Sequence, residues 1–159
     1  MIDLLYRMAY RCAYRMMRVY WATTHPETHG ALVAMWHEGR ILLVRNSYVP
    51  YYSLPGGYVR PSEAGRDAAL RELREETGIR AEPSSLTRAL DERHEWEGKR
   101  EHIEIYELAL DAECVVAVDN REVVSAQFFS PERALELDLF PPLRRVIERR
   151  QKGPRAPPA

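Results

Sequence analysis

Apolar positions in this chain recur with two different periods. Between residues 3 and 21, Leu4, Leu5, Met8, Ala9, Cys12, Met16, Val19 and Tyr20 cover a broad side, and Arg7, Arg11, Arg15 and Arg18 recur at spacings of 4, 4 and 3. That rhythm predicts one helix over 3–21 carrying a single basic stripe. The runs Ala31–Trp36 and Ile41–Val44 flank the short turn His37-Glu38-Gly39-Arg40 and predict a hairpin, followed by a tyrosine-rich loop over Asn46–Ser53. A second strand pair, Leu86–Trp96 and Glu101–Leu110, turns at Glu97-Gly98-Lys99-Arg100. In its second strand His102, Glu104 and Tyr106 alternate with Ile103 and Ile105, giving one polar and one apolar face. Val115–Val118 and Val123–Phe129 supply further strand material.

Between the strand pairs, Leu70 and Leu73 give a helix over 63–77 a face to bury. Ser62 or Pro61 marks its start, and Gly78 stands where a left-handed glycine ends a helix. Ser130-Pro131-Glu132 opens a short helix through Leu135, and Pro141 and Pro142 open a last helix reaching Gln151. Hairpins mixed with helices predict the α+β class or an α/β sandwich. Residues 1–22 form the N-terminal amphipathic helix, 23–151 one domain, and the proline-rich 152–159 a disordered tail. The simplest placement of the first helix packs it on the domain or on a second subunit, a homodimer contact, with its arginines in solvent. An anionic membrane surface or another protein would also suit a basic amphipathic helix.

Composition narrows the choices. The 159 residues suffice for one domain with a real core. A net charge of −1 argues against a nucleic-acid partner. The two cysteines, Cys12 and Cys114, are too few for a disulfide framework, and a reducing cytoplasm is the simplest compartment. The arginines within the first helix exclude an ordinary membrane span.

The chemistry concentrates in residues 54–79. Glu72, Glu75 and Glu76 stand at i, i+3 and i+4, which places three carboxylates in one wedge of a helix. Like charges so close ask for a cation, and oxygen ligands at this density suit Mg²⁺ or Mn²⁺. Gly65, Ala68 and Ala69 carry no bulk above the wedge, and Gly56 and Gly57 let backbone approach a ligand. Arg71 lies four residues before Glu75 and can pair with it.

The order Gly57, five residues, Glu63, seven residues, Arg71-Glu72-Leu73, one residue, Glu75-Glu76, one residue, Gly78-Ile79 resembles the Nudix box at every defined position. The resemblance implies an α/β/α sandwich around a mixed sheet. It also implies a Mg²⁺-dependent hydrolase, with Mn²⁺ as a substitute, that cleaves the pyrophosphate bond of a nucleoside diphosphate linked to another moiety. A Nudix fold used for nucleotide sensing or protein interaction is the alternative. By the resemblance Glu72, Glu76 and the Gly56 carbonyl hold metal, Glu75 joins them, Arg71 orients the cluster and Glu63 supports the loop. The general base in such enzymes often lies on a later segment; Glu101, Glu104 and Glu122 are candidates beside Glu76. Arg45, Gly57 and Glu104 are candidate substrate contacts, and Tyr52, Trp96, Tyr106 and Phe128 are candidates for stacking on a base. His94 and His102 lie on neighbouring strands without the further partner a zinc site needs. With no large insertion, the pocket should be open and the activity broad.

Overall fold

The computed structural model describes residues 2–112, 116, 118 and 120–153. At its centre β1 (Glu27–His37) runs parallel to β6 (Lys99–Ala109), from Glu27 opposite Arg100 to Trp36 opposite Ala109. The other edge of β1 is shared. β2 (Arg40–Asn46) pairs with its end as the expected hairpin, and β4 (Gly56–Tyr58) pairs with its start, Gly57 opposite Ala31. β3 (Tyr52–Ser53) and β7 (Val123–Phe129) pair with β2, and β5 (Thr87–Trp96) with β6, completing a mixed sheet of seven strands. Val115 and Ala117 of the expected strand Val115–Val118, and the tail from residue 154, fall outside the described residues.

Helices cover both faces of this sheet. On one, Ala31, Val33 and Met35 pack against Ala68, Ala69 and Leu73 of α2 (Gly65–Thr77). On the other, Leu32, Ala34 and Trp36 meet Leu143, Val146 and Ile147 of α4 (Pro141–Gln151), beside the short α3 (Pro131–Leu135). A strand buried on both sides needs apolar residues at every position, which is why Ala31–Trp36 reads as an unbroken run. The α/β/α sandwich is thus as expected. β1 is longer than expected because its first residues, Glu27 to His29, are polar yet pair fully with β6.

The ends of the helices show what local sequence does and does not specify. Gly78 takes φ 75° and its N–H bonds the Arg74 carbonyl at 3.0 Å, ending α2 as expected. Ser130 caps α3, its Oγ accepting from the Arg133 N–H at 3.3 Å. Ser62 does not cap α2: it turns to φ 65°, and the helix starts at Gly65 after Ala64, whose side chain offers no acceptor. The turn is held instead by Glu63, which accepts from the Arg60 N–H at 2.9 Å.

α1 (Ile2–Thr24) lies on the domain with the side opposite to the one expected. Tyr10 and Tyr14 stack on or beside Tyr48, Trp21 is buried, and Lys99 sits 4.5 Å from the Trp21 ring. The arginine stripe is only partly solvated: Arg7 Nε donates to the Asn120 carbonyl at 2.7 Å and Arg11 Nε to the Ser47 carbonyl at 2.9 Å, while Arg15 and Arg18 are exposed. The aliphatic side, Leu4, Leu5, Met8, Met16 and Val19, faces outward and is more than half exposed. Loop carbonyls needed donors and the domain offered an aromatic surface, so the tyrosine and arginine side of the helix outcompeted the aliphatic side for the contact. No helix among the described residues is long and apolar enough to cross a membrane.

Leu73 is completely buried between α2 and the sheet. Leu73→Ala is expected to lower stability by about 2–5 kcal/mol in urea unfolding; a change under about 0.5 kcal/mol would show that this layer is not the core.

Candidate active site

Two α2 carboxylates one turn apart flank the glycine turn that leads into β4. Glu76 Oε2 accepts the Gly56 N–H at 2.9 Å. Glu72 stands behind Gly57 so closely that a Cβ there would lie 2.7 Å from its carboxylate carbon. Gly56 has φ 147° and its missing Cβ would fall 2.3 Å from the Ala31 carbonyl, so glycine is required by backbone contact as well as conformation. The turn can press against α2 only because Gly57 has no side chain, and against β1 only because Gly56 has none.

Arg71 organises this contact. Its Nε and Nη2 make a forked bond to Glu63 at 2.9 and 3.0 Å, Nη2 also reaches the Tyr58 carbonyl at 3.1 Å, and Nη1 donates to Glu72. Glu75, the partner expected from the i, i+4 spacing, is 3.7 Å away and nearly half exposed. The fork geometry of a guanidinium favours the bidentate carboxylate, which is why Glu63 outranks Glu75. The hydrogen bonds from Arg71, then the one from the Arg60 N–H, push the Glu63 carboxyl down to about 2. Arg71 is raised above its ordinary value, first by Glu63 and against the pull of burial. Glu72 and Glu76 thus aim at the loop, while Glu75 stands at the rim. The three glutamates are less tightly gathered than the helical wedge suggests: repelling carboxylates have each taken the donor in reach.

The loop opens on a cavity of about 340 Å³. Gly56, Gly57, Tyr48, Glu122, Trp96, Lys99 and Glu101 are among the residues that line it. Tyr48 Oη bonds Glu122 at 3.1 Å; burial raises the Tyr48 phenol, and Glu122 reinforces the shift. α1 supplies a further wall to this cavity through Tyr10, Tyr14, Met17 and Trp21.

Several expected contacts lie elsewhere. Arg45 is exposed, 5.8 Å from the Tyr52 ring, and does not line the cavity. Glu104 is buried on the α2 side of the sheet, where it bonds His29 at 2.8 Å and Tyr106 at 2.5 Å and where Gly65 leaves room for it. Of the four expected stacking residues, Trp96 alone lines the cavity; Tyr106 packs in the α2 layer, Phe128 beside His37, and Tyr52 against Phe129. His94 and His102 point to opposite faces. His102 stacks on His29 at 4.2 Å, and with Glu104 these form the one His/Cys/Asp/Glu trio among the described residues with ligand atoms within 4.8 Å of one another. The stacked rings, 16° from parallel, direct their lone pairs alongside rather than toward one point, and Asp91 already bonds His102 at 2.8 Å. The parallel register that joins His29 to His102 left no mark in the local sequence.

The model of the NUDIX domain family matches residues 26–150, and the chain belongs to that family. A Bacillus subtilis (strain 168) protein named "Putative 8-oxo-dGTP diphosphatase" is 49% identical over 55 residues, 34% of this chain and 37% of that protein. A MutT-like protein of Streptomyces ambofaciens is 37% identical over 67 residues, 40% of this chain and 44% of that one. These curated relatives are therefore matched over less than half their length. Among solved structures, the MutT protein of Methanosarcina mazei Go1 superposes with a TM-score of 0.68 at 25% identity, covering 82% of this chain and 99% of that one. A Caenorhabditis elegans Ap4A hydrolase superposes with a TM-score of 0.64 at 20% identity, covering 79% and 96%, which shows a shared fold.

The Glu63 shift has a signed consequence. The folded carboxyl titrates near 2 against an ordinary 4.5, so the unfolded chain takes up the proton first as pH falls. Its contribution to stability is complete above about 4.5 and is lost as pH drops toward 2. The melting temperature of the wild type should therefore fall more steeply than that of Glu63→Gln between about pH 5 and about pH 3. Parallel curves would show that the fork with Arg71 adds nothing to the fold.

Proposed function

We propose that this protein hydrolyses the pyrophosphate bond of a nucleoside diphosphate linked to another moiety, with Mg²⁺ as cofactor and Mn²⁺ as a substitute. The observation that carries the reading is the glycine turn clasped between Glu72 and Glu76 where it opens into a cavity with aromatic walls. Family membership and the name of the Bacillus subtilis relative support it.

The donor set fits the cation. Glu72 and Glu76 offer hard oxygens, both are partly exposed, and the Gly56 carbonyl would complete a face with Glu75 at the rim. Bound there, Mg²⁺ neutralises charge on the phosphates and makes a bound water more acidic. Arg71 positions Glu72 and, through Glu63, the loop. Gly57 gives the phosphates close access to backbone. Glu122, held by Tyr48 beside the loop, is our choice for the carboxylate that takes the proton from the attacking water. Glu104 lies across the sheet and Glu101 is bound to Lys99, so neither suits that role.

The test is a panel of nucleoside diphosphate derivatives assayed for hydrolysis with Mg²⁺. Glu76→Gln should lower kcat/KM by about 100-fold or more, since a ligand should matter at least as much as the groups that support one. No activity across the panel, or no difference in Glu76→Gln, would overturn the hydrolase and favour a nucleotide sensor. Glu122→Gln should lower kcat by about 100-fold and remove the acidic limb of the pH–rate profile; an unchanged profile would remove Glu122 from the proton transfer.

A further inference from the structure

The family match begins at residue 26, after α1 has ended at Thr24. Even so, Tyr10, Tyr14, Met17 and Trp21 of α1 line the cavity that contains the glycine turn. Tyr14 is fixed in place: its Oη donates to Glu97, and its ring lies 5.2 Å from Tyr48 and edge-on to Trp21. The appended helix therefore presents ordered aromatic faces to whatever enters.

β6 supplies polar groups to the same cavity. Glu101 is 6% exposed, and its Oε1 accepts from Lys99 at 3.0 Å. Among the described residues its Oε2 is buried with no hydrogen-bond partner, and His94 Nε2, likewise without one, lies 3.6 Å away. Burial pulls His94 below its ordinary value, which favours the neutral ring. A buried carboxylate oxygen without a donor is costly, so a group left in that state inside a cavity is an acceptor awaiting a ligand. Lys99, also under the Tyr58 and Trp21 rings, keeps its charge: Glu101 and Tyr58 outweigh the effect of burial and raise its pKa.

We propose that the part of the cavity under α1 is a nucleobase subsite selective for guanine, with the α1 tyrosines as its stacking wall and Glu101 with Lys99 reading the base edge. The proposal rests on the nucleotide-substrate reading above and names its base. Guanine presents one acceptor, O6, next to two donors, N1–H and the N2 amino group. An ammonium donates only and a carboxylate accepts only, at two oxygens, which matches that order. Adenine presents one amino donor beside an acceptor and leaves one carboxylate oxygen unmet. Hypoxanthine has the O6 and N1–H of guanine but lacks the amino group. Aromatic faces with a polar edge reader are the usual means of holding an unstacked base. The cavity, at about 340 Å³, lies at the small end of the range for small-molecule sites.

The experiment is calorimetric binding of GMP, IMP and AMP to the full chain. None of the three has a pyrophosphate bond, so the outcome is independent of hydrolysis. GMP should bind about tenfold tighter than IMP, with AMP weaker still. Tyr14→Ala should weaken GMP about tenfold, whereas Tyr14→Phe, which loses the Glu97 bond and keeps the ring, should bind as wild type. Glu101→Gln should bring GMP and AMP to similar affinity. Val19→Ala, on the outer side of α1, is the unchanged control. Equal binding of the three nucleotides, or a Tyr14→Ala variant that melts like wild type and holds GMP unchanged, would overturn the subsite. Should Tyr14→Ala unfold, the Glu101→Gln comparison decides. Guanine selectivity without hydrolysis would sink the proposed reaction and leave the subsite standing; hydrolysis without selectivity would do the reverse.

Discussion

The site depends on a close approach between a helix and a backbone. α2 brings its carboxylates against the turn at Gly56 and Gly57, and Glu72 occupies the space a side chain at Gly57 would need. Everything around the turn maintains that approach. The Arg71 fork fixes Glu63 below it and Glu72 beside it, and Glu76 takes the Gly56 N–H. Hydrogen bonds between ionised partners are about twice as strong as neutral ones, so a small set of them can hold mutually repelling carboxylates along one face of a helix.

The sheet provides the rigid frame. Because β1 is buried on both faces, α2 is fixed on one side and α4 on the other, and β4 can pair only with the open start of β1. That pairing places the glycine turn over the end of α2. α1 then crosses the remaining opening, tied to loops by Arg7 and Arg11 and to the β5–β6 turn by Tyr14. The helix thereby joins the NUDIX domain as part of its cavity, with its aliphatic side turned away.

How much of this could be read from the sequence follows the range of each interaction. Local features were legible: the glutamate spacing, the glycine that ends α2, the serine cap of α3 and the two hairpins rest on contacts a few residues apart. The capping role assigned to Ser62 failed because Glu63, three residues from Arg60 and eight from Arg71, controls the turn. Long-range pairings left no local trace. Nothing near His29 signals the parallel strand that sets it beside His102, and nothing near Glu104 signals that it faces α2 instead of the cavity. The orientation of α1 is not encoded locally for a related reason. Periodicity shows that a helix has two sides, but the partner surface selects one, and that surface was built from Tyr48, Glu97 and loop carbonyls distant in sequence.

The most direct measurement of the central claim is Mn²⁺ binding, followed by electron paramagnetic resonance titration, to the wild type and to Gly57→Ala. The added methyl would stand 2.7 Å from the Glu72 carboxylate carbon and must displace that flexible side chain while the backbone of the turn stays in place. The account predicts a Mn²⁺ site in the wild type that weakens by about tenfold or more in the variant at unchanged melting temperature. Equal Mn²⁺ affinity in the two proteins, or no Mn²⁺ site in the wild type, would contradict it.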